Sequence, residues 1–272
     1  MTGASDYEAI LRDLDRRGRW RRRAGRGCGL ILLVAVLGAS LIKAKVAPRD
    51  FWRHLPKLGE WLARFWPPDF TELHSSFLPA LWETLAIAIS GTALAVVVAL
   101  PLSVCVARNT APSPWLAVPL RALLNVLRAI DAAIFALLFV AVVGLGPFAG
   151  VLGVALHTTG SMAKLFVETL ESVPTETREA VEATGAGRLR TFAFAVLPEA
   201  LPGLVAIALY LWEYNVRASV ILGVVGAGGI GYELMVSIKL FDFSRLSAIL
   251  LIVLTAVVLI DAASIWLRRA LR

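Results

Sequence analysis

The stretch EAVEATGAGRLRTFAFAVLP, residues 179–198, is charged and lies between strongly apolar segments. Upstream of it, Pro174 suits a first helical position, because its missing N–H would have no intrahelical partner there. Glu176 then lies in the first turn, where the helix dipole favours a carboxylate. Gly185 predicts a turn, since glycine adopts positive φ without strain, and Pro198 marks a second helical start. The stretch therefore predicts a short helix, a turn and a second helix entering a membrane.

Composition excludes a soluble domain of this size. The chain has 272 residues, 58% of them hydrophobic, with a mean hydropathy of +0.75. Several apolar runs reach about 20 residues, the length that an α-helix needs to cross a bilayer. The net charge is +7, but the arginines flank apolar segments, which indicates membrane topology rather than nucleic-acid binding. The two cysteines and three histidines lack metal-ligand spacing, so we expect neither a metal site nor a disulfide.

The pattern predicts an all-α membrane protein with six transmembrane helices. The expected spans are residues 28–45, 79–106, 116–143, 148–170, 200–222 and 246–267. An Arg-rich segment, 1–27, precedes them, and the transmembrane domain proper covers 77–272. Arginine clusters at both ends place both termini in the cytoplasm. Residues 46–76 are aromatic and mixed, which predicts an outer interfacial segment in contact with lipid or, alternatively, a contact for an external binding protein.

Ionisable side chains within spans are costly, so each one is a functional candidate. His157, Ser161 and Lys164 follow i, i+4, i+7 spacing on the fourth span. They form either a path for an anion or a hydrogen-bonding seam between helices. Arg128 and Asp131 lie three residues apart on the third span and are expected to pair.

The second informative stretch is WEYNVRASVILGVVGAGGIG, residues 212–231. Glu213 and Arg217 are spaced for an i, i+4 ion pair, which either braces the fifth span or holds Arg217 as a weak anion site. Asn215, between them, is a further candidate for the path. Five glycines then deny the segment a regular helix. They are Gly223, Gly226, Gly228, Gly229 and Gly231. Irregular backbone at membrane depth persists only where it is buried in protein or lines a cavity.

Residues 179–198 resemble the coupling loop of ABC importer permeases, which has the form E-A-A-x3-G-x9-I-x-L-P. Val181 and Ala195 replace the second Ala and the Ile. In that family the loop is a helix that docks into a groove on the ATPase subunit. The resemblance assigns coupling to Glu179, Ala180, Glu182, Gly185, Arg188, Leu197 and Pro198. The alternative is an ordinary amphipathic helix at a membrane surface.

The WEYNVRAS and LGVVGAGGIG blocks resemble the phosphonate-transport permeases of the ABC superfamily. So do Glu83-Thr84, Arg108-Asn109, GLGPFAG at 144–150 and LHTTG at 156–160. The resemblance implies a type I importer permease fold of the methionine-permease-like superfamily, in a bacterial inner membrane. Its coupling helix would lie between spans four and five.

The same resemblance implies a set of partners. They are two ATPase subunits, a second permease that is identical or related, and an external phosphonate-binding protein. No P-loop occurs in the chain, so ATP and Mg are expected on the partner ATPase, and no catalytic residue is assigned here. The alternatives are a permease for phosphite or phosphate, or an ion-coupled carrier.

Overall fold

The computed structural model describes residues 29–30, 32–44 and 48–270, which form helices joined by turns and loops and contain no β-strand. The chain divides into two compact units, Met1–Leu62 and Ala63–Arg272. The predicted Arg-rich segment, 1–27, lies outside the described residues. The first predicted span is described in part, as the apolar helix α1, Leu32–Lys43.

Helix α2, Pro48–Ala63, lies within the predicted interfacial segment. Trp52, Leu58, Trp61 and Leu62 are large and exposed within the chain. Tryptophan favours the level of the lipid headgroups, because its ring is apolar and its N–H is polar. The interfacial location of residues 46–76 stays a prediction.

The second unit contains nine α-helices among the described residues. They are α3 (Leu78–Val106), α4 (Pro114–Ala129), α5 (Ala132–Val143), α6 (Pro147–Glu171), α7 (Thr175–Glu182), α8 (Arg188–Thr191), α9 (Leu197–Leu222), α10 (Ile230–Lys239) and α11 (Phe243–Ala270). Four continuous helical stretches are long and apolar enough to cross a membrane: Leu73–Val106, Pro147–Glu171, Arg188–Ala227 and Phe243–Arg268. Helices α4 and α5 add a fifth if the bent pair is one span. The count of six spans stays a prediction.

Helix α6 is the centre of this unit. Of its most apolar stretch, 56% is buried within the chain, against 33% or less in the other three. Glycines let its neighbours approach closely. A Cβ on Gly153 would lie 2.9 Å from Ala136 Cα of α5, and one on Gly160 would lie 2.8 Å from Leu124 O of α4. Small residues at such crossings favour helix association in lipid.

The third span departs from the prediction, because it is broken between α4 and α5 by a bend of 89°. Ile130 has extended backbone, with φ −95° and ψ 128°. Asp131 is extended too, and its carboxylate accepts the Ala133 N–H at 2.8 Å. Aspartate stabilises a helix start in this way. Asp131 therefore caps the start of α5, and α4 does not continue through it. The predicted pair of Arg128 with Asp131 is wrong, since the break separates them and no ion pair joins the two described side chains.

The prediction of irregular backbone at the glycine cluster is confirmed. The chain has φ of 97° at Gly226, 79° at Gly228 and 72° at Gly229, and α10 begins directly afterwards. The Thr84 hydroxyl of α3 accepts the Ile230 N–H at 2.8 Å. An N–H freed at the start of α10 is therefore paired inside the protein, as burial in a membrane protein requires.

The start of α11 is held by Arg245, whose side chain is mostly buried. Its guanidinium lies 2.9 Å from the Glu72 carboxylate and 2.6 Å from that of Glu233, and it lies over the Phe77 ring. In the turn before the Leu73–Val106 stretch, hydrogen bonds from Thr71 lower the pKa of the Asp69 carboxyl. These contacts join the beginning of the α3 span to the hairpin of α10 and α11.

We expect Gly231→Ala to destabilise the second unit. A Cβ at this position would collide with the Val220 carbonyl of α9. Both groups belong to helix backbones, so the helices must separate, at a cost of about 1–3 kcal/mol. Thermal unfolding in detergent measures the loss. Gly59→Ala is the matched control, because a Cβ on Gly59 meets no atom within 4 Å. Equal melting temperatures for the two variants would contradict the packing described here.

Candidate functional site

The predicted coupling segment forms an exposed helix between α6 and α9. Helix α7, Thr175–Glu182, carries Glu179, Ala180 and Glu182, and none of its residues is buried. Its first turn contains Glu176, as predicted. Gly185 ends the segment with φ 82°, which confirms the predicted turn. An exposed, charged helix of two turns attached to the central helix is suited to contact with another protein.

The helical stretch that contains the fifth predicted span begins at Arg188, earlier than the predicted start near residue 200. A π-helical turn, Phe192–Val196, joins α8 to α9 without interruption, and Val196 within it is buried. Leu197 and Pro198 therefore lie inside a continuous helix, where proline occupies the first turn of α9. A single 40-residue stretch, Arg188–Ala227, consequently runs from the coupling segment to the glycine cluster.

A basic cavity of about 430 Å³ lies beside α7. Arg108, Arg178 and Arg188 line it together with one carboxylate, Glu182, whose Oε1 lies 3.4 Å from the Arg178 Nε. Three guanidinium groups against one carboxylate leave an excess of positive charge. The cavity is therefore complementary to an acidic group of a partner.

The loop that carries Arg108 is anchored to the end of α6. The Asn109 amide donates to the Leu170 carbonyl at 2.6 Å, and the Arg108 N–H donates to Glu171 at 2.9 Å. This explains the Arg108-Asn109 pair singled out in the sequence. The asparagine fixes the loop, and the arginine side chain is left to line the cavity.

A buried polar seam joins three of the spans. Asn215 of α9 is 1% exposed. Its amide donates to the Thr92 hydroxyl of α3 at 2.8 Å, and its carbonyl accepts the Thr158 hydroxyl of α6 at 3.2 Å. Both polar ends of the amide are satisfied, so Asn215 fixes the register of α9 on the other two helices.

A second cavity, of about 180 Å³, opens beside this seam. It is lined by His157, Thr158, Ser161, Tyr210, Leu211, Tyr214 and Asn215. The structure thus brings together the predicted His157, Ser161 and Asn215. Lys164 does not line the cavity, and its ammonium lies 3.6 Å from the Glu168 carboxylate. Tyr210 and Tyr214 were missed, although their i, i+4 spacing on α9 placed both on one face.

The predicted pair of Glu213 and Arg217 is confirmed at 3.2 Å and belongs to a larger network. Arg217 also lies 3.2 Å from Asp261 of α11, and Arg268 lies 3.2 Å from the second Glu213 oxygen. Two carboxylates therefore balance the charge of Arg217, and the network ties α9 to α11. Asp261 and Arg268 were missed, because nothing in the sequence pairs residues so far apart.

Among residues 29–30, 32–44 and 48–270, no group of three or more His, Cys, Asp or Glu side chains is arranged to hold a metal ion.

Residues 99–272 match the family model described as the binding-protein-dependent transport system inner membrane component. The match covers more than half of the chain. The chain belongs to this family. It is thus a permease of the ABC importer type, a multi-pass protein of the inner membrane, and its apolar helices agree with this.

Two relatives and one solved structure show which transport proteins this permease is similar to. It is 43% identical over 266 residues to the phosphite transport system permease protein PtxC of Stutzerimonas stutzeri, covering 98% of this chain and 95% of the relative. It is 37% identical over 263 residues to the phosphate-import permease protein PhnE of Mycolicibacterium smegmatis, covering 96% of this chain and 49% of the relative.

The solved structure is the MetNI methionine ABC transporter in inward-facing conformations. The match has a TM-score of 0.65 and 25% identity, and it covers 74% of this chain and 99% of the other. The permease therefore has the type I importer permease fold, as predicted.

We expect Glu213→Gln to destabilise the permease more than Asp261→Asn. The Glu213 carboxylate pairs with both Arg217 and Arg268, and its side chain is 12% exposed. The Asp261 carboxylate pairs with Arg217 alone, and its side chain is 37% exposed. Losing the Glu213 charge leaves Arg268 without a carboxylate partner, at a cost of about 1–3 kcal/mol. Thermal unfolding in detergent measures both variants. A larger loss in Asp261→Asn would contradict the bridging role of Glu213.

Proposed function

We propose that this permease forms the translocation path of an ATP-driven importer for phosphonates, with phosphite or phosphate as the alternative substrates. The observation that carries the proposal is the exposed helix α7, set between the central span α6 and the 40-residue stretch that begins at Arg188. The phosphonate-type sequence blocks and the relatives named for phosphite and phosphate transport support the substrate class.

The coupling residues on α7 and in the following turn transmit the movement of a separate ATPase. Closure of two ATPase subunits on ATP would draw together the α7 helices of two permeases, identical or related. Each α7 moves with α6, and Arg188–Ala227 carries the motion to the glycine cluster. Such rigid-body switching alternates access to a path between two sides of a membrane. ATP and Mg would be held by the ATPase, and both permease termini would lie in the cytoplasm.

The basic cavity beside α7 supports docking of an acidic group of the ATPase. Arg188, a predicted coupling residue, lines it together with Arg108. Ion pairs at such a rim contribute to orientation and to the rate of association. The cavity therefore extends the docking surface beyond Glu179 and the other residues of α7.

We propose that the substrate contacts the permease at the 180 Å³ cavity rather than at Arg217. The cavity offers hydroxyl and imidazole groups without a resident carboxylate. Arg217, by contrast, faces Glu213 and Asp261, so an incoming anion would meet two negative charges. This arrangement supports the interpretation that the pair of Glu213 and Arg217 braces the fifth span and is not an anion site. High affinity would belong to the external phosphonate-binding protein, since a path that binds tightly releases slowly.

An ion-coupled carrier is the competing class of function. It needs no ATPase, so purification of the permease from membranes separates the two. An ATPase that accompanies it in stoichiometric amounts supports the importer. Transport by the isolated permease in an ion gradient would overturn the importer proposal.

We expect Glu179→Ala to lower phosphonate uptake by about tenfold while the spans remain folded. The variant removes a charged hydrogen-bonding group from the proposed docking face, a loss of about 1.5 kcal/mol. Uptake into vesicles and ATP hydrolysis are measured together, and hydrolysis should persist while uptake falls. Wild-type uptake by Glu179→Ala would reject the docking role.

We expect Arg188→Glu to weaken binding of the ATPase by at least about tenfold, because it sets a carboxylate against an acidic partner. Arg190→Glu is the matched control, since Arg190 is two residues away but does not line the basic cavity. Co-purification at increasing salt measures the difference. Equal retention of the ATPase by the two variants would show that the cavity takes no part in docking.

A further inference from the structure

The break between α4 and α5 fixes the tautomer of His157. Within an unbroken helix, the Ile130 carbonyl would accept the N–H of Ile134, but that N–H bonds to Asp131 instead. The Ile130 carbonyl lies 2.7 Å from the His157 Nδ1. A carbonyl only accepts, so the proton of this hydrogen bond lies on Nδ1. In the neutral ring, Nε2 is then an acceptor without a proton.

The other free polar groups of the 180 Å³ cavity are hydroxyls. Ser161, Tyr210 and Tyr214 each offer one, which can donate or accept, while the two ends of the Asn215 amide are occupied by Thr92 and Thr158. Among the described residues, no Lys, Arg, Asp or Glu lines the cavity. Near Ile130, Arg128 and Asp131 flank the break, and the Asp131 carboxylate is bonded to the Ala133 N–H. The cavity therefore combines three neutral hydroxyls with one imidazole nitrogen that, in the neutral ring, can only accept.

This combination is complementary to one chemical form of a phosphorus oxyanion. A singly protonated phosphonate or phosphite has charged oxygens that accept hydroxyl protons, and one P–OH that donates. The fully deprotonated ion has no proton for Nε2, and its oxygens would meet the nitrogen lone pair. A lone pair that faces an anionic oxygen without a proton between them is repelled, so the two forms are distinguished.

We infer that the cavity is a substrate site for the singly protonated oxyanion, with its P–OH donating to the His157 Nε2. The inference rests on the proposed function, since it names the substrate form for the same path. No bond to phosphorus is made or broken, and the proton stays with the substrate. His157 acts as a specificity-determining residue that touches the substrate directly.

Nitrogen NMR of the assembled complex in lipid tests the tautomer and the contact. The permease is labelled with ¹⁵N-histidine and carries His54→Gln and His74→Gln, so that His157 gives the remaining histidine signals. We expect Nδ1 protonated and Nε2 unprotonated. Methylphosphonate, at a near-neutral pH where much of it keeps one proton, should shift Nε2 toward the hydrogen-bonded value. Sulfate, which has no proton under these conditions, should leave it unmoved.

A protonated Nε2 in the free complex, or equal shifts with the two anions, would overturn the inference. Failure of the proposed function is separate, because it would appear as absence of ATP-driven methylphosphonate uptake by the unaltered complex. With uptake intact and Nε2 insensitive to methylphosphonate, the inference alone fails.

Two substitutions give a second, independent readout. His157→Gln keeps an acceptor oxygen and an N–H donor, whereas His157→Phe keeps the ring shape and loses both. We expect uptake by His157→Phe to fall about tenfold, the effect of one hydrogen bond to a charged partner, and His157→Gln to restore most of it. Equal uptake by the two variants would contradict a hydrogen bond from substrate to His157. The NMR experiment uses the native histidine, so misfolding of His157→Phe does not remove the test.

Discussion

The hydrogen bond from the Ile230 N–H to the Thr84 hydroxyl is the contact on which the architecture of the permease depends. Hydrocarbon offers no partner to a freed backbone group, so a helix broken at membrane depth must satisfy its ends within the protein. Thr84 supplies that partner from α3, and the three glycines with positive φ let the chain turn directly against it. Because of this contact, α9 can end inside the protein and α10 can begin there. The long α9 stretch is thereby tied to α3 at one end and to the coupling segment at the other.

A second break, at Ile130 and Asp131, frees a carbonyl that positions a side chain of the proposed substrate site. The bend of 89° removes the Ile130 carbonyl from the helical pattern, and His157 takes it as a partner. The ring is then held at the wall of the cavity with one nitrogen left for a ligand. The polar seam at Asn215 keeps α9, and with it Tyr210 and Tyr214, in register with that wall. The site is therefore a consequence of where the helices break and of how one buried amide aligns them.

The sequence predicts these features unevenly, for physical reasons. Local signals are readable: Gly185 ends a helix, the glycine cluster prevents one, and Glu213 with Arg217 pairs across a single turn. The bend before α5 was missed, because one aspartate in an apolar run is equally compatible with an ion pair and with a helix cap. Long-range partners were also missed, since Asp261 and Arg268 follow Arg217 by 44 and 51 positions in the printed sequence and pair with α9 only through folding. The helical stretch before α9 was missed because Phe192–Val196 follows a charged segment in the sequence and was assigned to the same loop, although Ala195 and Val196 within it are buried.

In the proposed function, α7 is the place where a separate ATPase moves the spans. The most direct measurement is photo-crosslinking from a reactive side chain introduced at position 182, in native membranes that contain the assembled transporter. Glu182 is exposed at the end of α7 and lines the basic cavity, so the probe samples both parts of the proposed surface. The account predicts an adduct with the ATPase whose yield changes when ATP is added. An adduct formed only with lipid or with the external binding protein would contradict it.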